Sequence, residues 1–252
     1  MRNVLLTIAY DGTNYSGWQI QPNGVTIEEK LMEAFRRMDG SKVKIIGSGR
    51  TDARVHARGQ KASVRLNSTV PTERLPFALN AKLPPDIVVT GAKEVPPEFH
   101  ARYDAIGKTY KYRLYTGAFP DPIGRNHQYH IKEKLDFSLL QGALEIMKGC
   151  HDFKGFMASG SSVKTTRRTI DQIEVQPVDS EKTDIYIGAD GFLYNMVRII
   201  IGSTVDVAKG KISIEQLREA LNKQKRELAG HTAPPQGLFL QEVRYSHESE
   251  RG

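Results

Sequence analysis

Residues 47–60 read GSGRTDARVHARGQ. Asp52 follows Arg50 by two positions in a glycine-broken stretch, and Arg54, His56 and Arg58 come close behind. Guanidinium groups beside a carboxylate hold it ionised at neutral pH. The same groups attract a phosphate backbone. A carboxylate that stays charged next to a polyanion suits an enzyme that works on nucleic acid, with Asp52 as nucleophile or general base. Taken alone, the stretch also reads as an Arg–Asp bridge that pins a turn. His56 could act as a base or bind a metal. No second His, Cys or carboxylate stands at metal spacing in the sequence, so no metal site is expected.

Two other places carry chemistry. KTYKYRLY at Lys108–Tyr115 alternates, with Tyr110, Tyr112 and Leu114 on one face and Thr109, Lys111, Arg113 and Tyr115 on the other. Rings interleaved with cations suit a surface that stacks a splayed-out base and neutralises its phosphate. The plainer alternative is a half-buried strand with tyrosines in the core and Lys111 in solvent. The second place is Arg198, within the apolar run GFLYNMVRIIIG. A buried guanidinium requires a carboxylate or phosphate partner, and Asp52 would satisfy both signals. An arginine reaching solvent from the helix edge is the competing reading. Arg167–Arg168 and the group Lys223, Lys225 and Arg226 are a solvated face or an extension of an RNA track.

The bulk properties set limits. The chain has 252 residues, 39% hydrophobic and 26% charged, in the ordinary range for a globular protein with a sizeable core. A net charge of +7 favours an acidic partner such as RNA, DNA or an anionic surface, or serves only solubility. Cys150 is the single cysteine, so no disulfide can form within the chain and a reducing compartment, the cytoplasm, is expected. No stretch reaches the length of a membrane span. Neither a phosphate-binding glycine loop nor a dinucleotide fingerprint occurs, so no nucleotide cofactor is expected.

These residues must be positioned by a regular scaffold. Asn3–Tyr10 reads as a strand ended by Asp11-Gly12. Thr26 and Glu29 form a capping box for a helix whose face holds Ile27, Leu31, Ala34, Phe35 and Met38. Val43–Ile46 and Gln60–Leu66 read as strands flanking the Asp52 loop, Thr72–Ala81 as a short helix and Asp86–Val95 as a strand. This β-α-β-β-α-β order is that of a ferredoxin-like or RRM-like unit. Pro96-Pro97 marks a boundary. Beyond it come strands at Lys108–Tyr115 and His127–Ile131, a helix at Asp136–Met147, strands at Gln172–Val178 and Asp184–Gly188, and a buried helix at Phe192–Val207. A helix capped by Ser213 and Gln216 and a strand at Leu238–Tyr245 complete the order. The predicted fold class is α+β: two such units, residues 1–104 and 105–247, with sheets joined edge to edge into a mainly antiparallel sheet. Helices pack on its faces, and the active-site cleft lies between the halves.

Together the motifs resemble the TruA family of tRNA pseudouridine synthases. GRTDARVHARGQ is similar to the family's catalytic motif. AYDGTNYSGWQ, Asn80 with Leu83-Pro84 and Asp86-Ile87, FHARYDAIGKTYKYRLY, Asp152–Phe156, MVRIIIG and GLFL at 237–240 resemble its other segments in order and spacing. The resemblance implies Asp52 as catalytic aspartate, Arg50 as the arginine that displaces and holds the substrate strand, Tyr110 stacked on the target uridine and Arg198 paired with Asp52. His56, Arg54, Arg58 and Arg168 join them as substrate-binding candidates. It further implies a homodimer acting on the anticodon arm of tRNA without cofactor or metal. The family usually has glycine where Arg54 stands, so either the backbone there is ordinary or the substrate contacts differ. An RRM-like binder without catalysis and a cofactor-free RNA hydrolase are the rival functions.

Overall fold

The computed structural model describes residues 1–160 and 163–246. Its contacts divide the chain into two units. One is Met1–Lys108 together with the chain from Phe239 on, and the other is Thr109–Leu238. This differs from the expected partition at residue 104 in two respects, the first being a boundary after Lys108. The second is that the C-terminal strand returns to the first unit, because it adds to that unit's sheet.

The first unit contains β1 (Arg2–Tyr10), α1 (Ile27–Asp39), β2 (Ile45–Gly47), β3 (His56–Leu66), α2 (Leu75–Asn80), β4 (Ile87–Val95) and β10 (Leu238–Tyr245). The strand order is β4-β1-β3-β10, with β2 also on β3. β1 runs antiparallel to both neighbours, with Val4 opposite Val64 and Glu94. β10 is parallel to β3, with Phe239 opposite His56. Alternation along β1 sends Val4, Leu6 and Ile8 into the core that also holds Ile27, Leu31, Phe35, Leu75 and Leu79. On the other face Leu5 packs with Val95, Phe99 and Ala101 beneath Tyr245.

Local chemistry explains the element ends. The Thr26 hydroxyl accepts from the Glu29 N–H at the start of α1, and Gly40 closes the helix in a left-handed conformation. The predicted helix at 72–81 starts as a 3-10 turn, Thr72–Arg74, before Leu75-Pro76 sets the α-helical part. The Asn80 amide then pairs with both main-chain groups of Val89, tying α2 to β4.

The chain enters the second unit within β5 (Ala105–Tyr115). β6 (Tyr129–His130), α3 (Phe137–Glu145), β7 (Gly149–Asp152), β8 (Arg167–Pro177), β9 (Lys182–Ala189), α4 (Met196–Ala208) and α5 (Ile214–Lys223) follow. The strand order is β5-β9-β8-β7, with β6 parallel on β5. β8 pairs antiparallel with β9 and with β7. The helices pack on one another, α3 against α4 and both against α5. Ser213 caps α5 through the Gln216 N–H, as its sequence implies. The protein is thus α+β with mainly antiparallel strands. Among the described residues no helix is long and apolar enough to cross a membrane.

β7 was not foreseen, and two expectations need correction. The helix foreseen from Phe192 starts at Met196, because Asn195 at φ 59° takes a left-handed turn that a helix cannot continue through. Lys111, placed in solvent or on phosphate by the sequence, is buried, with Nζ 3.4 Å from Asp184. Arg113 makes a bidentate pair with the same carboxylate at 2.7 and 2.6 Å. Asp184 on β9 therefore uses up the cations of β5 that the alternation offered to RNA.

Candidate active site

The Asp52 loop leaves β2 at Gly47 and enters β3 at His56. Main-chain groups hold it against the segment after β1. The Trp18 N–H donates to the Thr51 carbonyl at 3.1 Å, the Arg54 N–H to the Tyr15 carbonyl at 3.2 Å, and the Val55 N–H closes a turn on the Asp52 carbonyl at 3.2 Å. The hydroxyls of Tyr10 and Thr51 lie 2.8 Å apart in the interior. Burial keeps the Tyr10 phenol protonated far above its ordinary range. Closeness is what requires glycine here. A Cβ on Gly17, at φ +97°, would stand 2.5 Å from the Thr51 carbonyl, and one on Gly12 would collide with the Val55 carbonyl. Upstream, the Ser48 hydroxyl bonds the Gln60 amide oxygen at 2.6 Å, and Lys108 Nζ donates to the Ser48 carbonyl at 2.8 Å.

This clamp leaves Asp52 partly exposed, with Arg50, Arg54 and Arg58 exposed around it. Arg54 has φ +66°, so the left-handed backbone that suits glycine is retained by an arginine. The question raised by its sequence position is answered in favour of strain at an exposed cation. His56 is placed differently from the expectation. Its ring is buried and stacked on Phe239 at 4.7 Å. Its Nδ1 lies 3.0 Å from the Gly12 N–H and 3.1 Å from Asp11 Oδ1. A buried, doubly engaged ring positions the loop and does not present itself to a substrate. Asp11 was invisible as its neighbour because 45 residues separate them in sequence.

In the second unit Tyr110 is 9% exposed and meets Phe192 edge to face at 5.2 Å. Tyr112 is a core residue. It is fully buried, its hydroxyl donates to the Pro234 carbonyl at 2.7 Å, and burial raises its phenol well above the usual range. Arg198, in the first turn of α4, is partly buried. Its Nε donates to the Ala233 carbonyl and its Nη1 to Asn195 Oδ1, both at 2.8 Å. These bonds set the plane of the guanidinium. Arg168 on β8 folds Nη1 onto the Thr165 and Arg167 carbonyls and lies beside Gly191, next to Phe192. Arg226 turns inward to the carbonyls of Ala229 and Gly230 and is no part of a surface track. His100 Nδ1 accepts from the Arg102 and Tyr103 N–H groups.

The fold brings Asp52, Arg50 and Arg54 to one loop with Arg58 at the start of β3, and Tyr110, Phe192 and Arg168 to one neighbourhood in the second unit. Phe192 beside Tyr110, and the close approach of Gly12 and Gly17 to the Asp52 loop, are neighbours that sequence reasoning missed. The glycine-rich run AYDGTNYSGWQ was the available signal for the latter.

Comparison with known proteins agrees with these motifs. A family model described as tRNA pseudouridine synthase matches residues 6–104 and 143–246. A tRNA pseudouridine synthase A of Acetivibrio thermocellus is 46% identical over 245 residues, 97% of this chain and 100% of that protein. A tRNA pseudouridine synthase A 2 of Clostridium perfringens is 45% identical over the same shares of both chains. A solved Cbf5-Nop10-Gar1 complex aligns over 80% of this chain and 54% of its own, with 13% identity and a TM-score of 0.36, a likeness too slight to carry weight. With the full-length identity and the matched motifs in place, the chain belongs to the tRNA pseudouridine synthase family, isomerases that convert uridine to pseudouridine.

Proposed function

We propose that this isomerase of tRNA uridines acts on the anticodon arm as a cytoplasmic homodimer, with Asp52 as the group that attacks or deprotonates the target nucleotide. Pseudouridylation breaks the C1′–N1 bond, turns the uracil and joins C1′ to C5. The C5 hydrogen leaves as a proton and N1 takes one up, so no oxidant, reductant or water is consumed. One carboxylate, a ring to hold the extruded base and exclusion of water meet the chemical needs.

The observation that carries this reading is the pinned main chain around Asp52. The Thr51 carbonyl accepts from Trp18, the Asp52 carbonyl from Val55, and the Arg54 N–H donates to Tyr15, and exposed arginines stand at positions 50, 54 and 58 of the same stretch. Such pre-organisation is what a catalytic carboxylate needs. Tyr110, braced by Phe192, would stack on the extruded base. Arg198, with its guanidinium plane set, would pair with Asp52. Arg50 and Arg58 would meet phosphates.

Incubation with unmodified tRNA tests the reading against its rivals. The synthase yields pseudouridine at unchanged RNA mass, mapped to the anticodon arm. Fragments would indicate a hydrolase, and retention without product would indicate a binder.

A further inference from the structure

We propose that one end of the second unit, built by Lys154, Arg167 and Lys225 and opened by Tyr194, is a docking surface for the RNA backbone of the substrate, continuous with the Tyr110 neighbourhood. The proposal rests on the tRNA-directed reading above and extends it to a surface outside the reacting centre.

The cations converge from three separate segments. β7 and β8 form a ladder in which Asp152 faces Arg167, and the Phe153 N–H donates to the Thr166 carbonyl just beyond it. Lys154 follows in the 3-10 turn Phe153–Phe156, whose start is capped by the Asp152 side chain. That turn packs on the end of α5. The Gly155 backbone leaves no room for a Cβ, which would stand 2.7 Å from the Ala220 carbonyl and 3.1 Å from the main chain of Gln224 and Lys225. Lys154, Arg167 and Lys225 are all exposed.

The local charge is one-sided. From Phe153 to Ile170 the sequence has four Lys or Arg and no Asp or Glu. The nearby carboxylates are otherwise engaged, Asp152 in its cap and Glu219 with Lys223 at 2.9 Å. Among the described residues, the Arg167 guanidinium meets the Cys150 sulfur, 3.7 Å from Nη2, a weak acceptor for a guanidinium.

The surface also leads somewhere. The segment after Lys154 continues to Ala158, whose N–H donates to the Tyr194 carbonyl at 3.1 Å. Tyr194 is 48% exposed and lies two residues from Phe192, the ring against Tyr110. An exposed ring tied by its main chain to the segment after Lys154, and close in sequence to the Tyr110 brace, has the make-up of a single-strand path, in which rings stack bases and cations follow phosphates. An RNA strand leaving the target base is therefore the occupant.

The test is the triple variant Lys154→Glu, Arg167→Glu, Lys225→Glu in the full-length protein, assayed by turnover and by equilibrium binding of tRNA. KM and Kd should rise at least tenfold, with kcat at saturating tRNA within twofold of the parent. The slope of log affinity against log salt should flatten by about 2, as three phosphate contacts are lost. Tyr194→Ala should weaken binding without altering the salt slope. An unchanged Kd and slope in the triple variant would overturn the surface. So would retained tRNA affinity with lost binding to polyglutamate, which would assign it to an acidic protein. Should the triple variant fail to fold, the Gln set at the same three positions gives the same readings. Binding is read independently of product, so a parent that binds tRNA but makes no pseudouridine refutes the proposed reaction and not the surface.

Discussion

The two units hold their functional groups by different means. Around Asp52 the contacts are main chain to main chain, from Trp18 to Thr51, Arg54 to Tyr15 and Val55 to Asp52. In the second unit Tyr110 and Arg198 are held by side chains, one by an aromatic edge and the other by two guanidinium bonds. The difference determines which substitutions each region tolerates. A backbone clamp is blind to most side chains but has no space for a Cβ at Gly12 and Gly17. A side-chain brace depends on the identity of Tyr110, Phe192, Asn195 and Arg198, although one of its acceptors is the Ala233 main chain.

Substitutions at the clamp and the brace can break or sharpen that contrast. The largest effect is expected for Asp52→Asn, which keeps the clamp and removes the charge. Turnover should fall at least about a hundredfold with tRNA binding and melting temperature retained. Near-normal turnover would remove Asp52 from the chemistry. Gly17→Ala should come next, since it inserts a Cβ 2.5 Å from the Thr51 carbonyl at a positive φ. It should destabilise by more than about 1 kcal/mol in denaturant titration and lower kcat with it. An unperturbed variant would mean that the clamp yields easily.

Arg198→Ala should cost about 1–3 kcal/mol, because the Ala233 carbonyl and Asn195 lose a charged donor. It should also reduce activity. Unchanged activity would argue against the proposed pairing with Asp52. The smallest effect is expected at Arg54, where φ is +66°. Arg54→Gly should relieve strain and raise stability by up to about 1 kcal/mol, while KM for tRNA rises as an exposed cation is lost. A stability loss would show that the arginine side chain supports the loop.

The same contrast explains what was legible in the sequence. Local signals were read well: the Thr26 cap, the Ser213 cap, and the alternation that ends β10 at Tyr245. The Asp52 loop also stood out in the sequence as a candidate, because a short run of Gly, Arg and Asp concentrates ionisable and turn-forming residues. Long-range pairings were not. Asp184 takes Lys111 and Arg113 from a neighbouring strand, and Asp11 reaches His56 across the sheet. β7 escaped because GCHD is too short to show any period. The start of α4 was misplaced because apolar residues run through Leu193 while Asn195 turns the backbone left-handed.

The strand that completes the first sheet is the last element described in the chain, and it lies directly beside the loop that carries Asp52, with Phe239 stacked on His56. Phe239 and His56 stand far apart in sequence, so this pairing is among the costly long-range contacts that close late in folding.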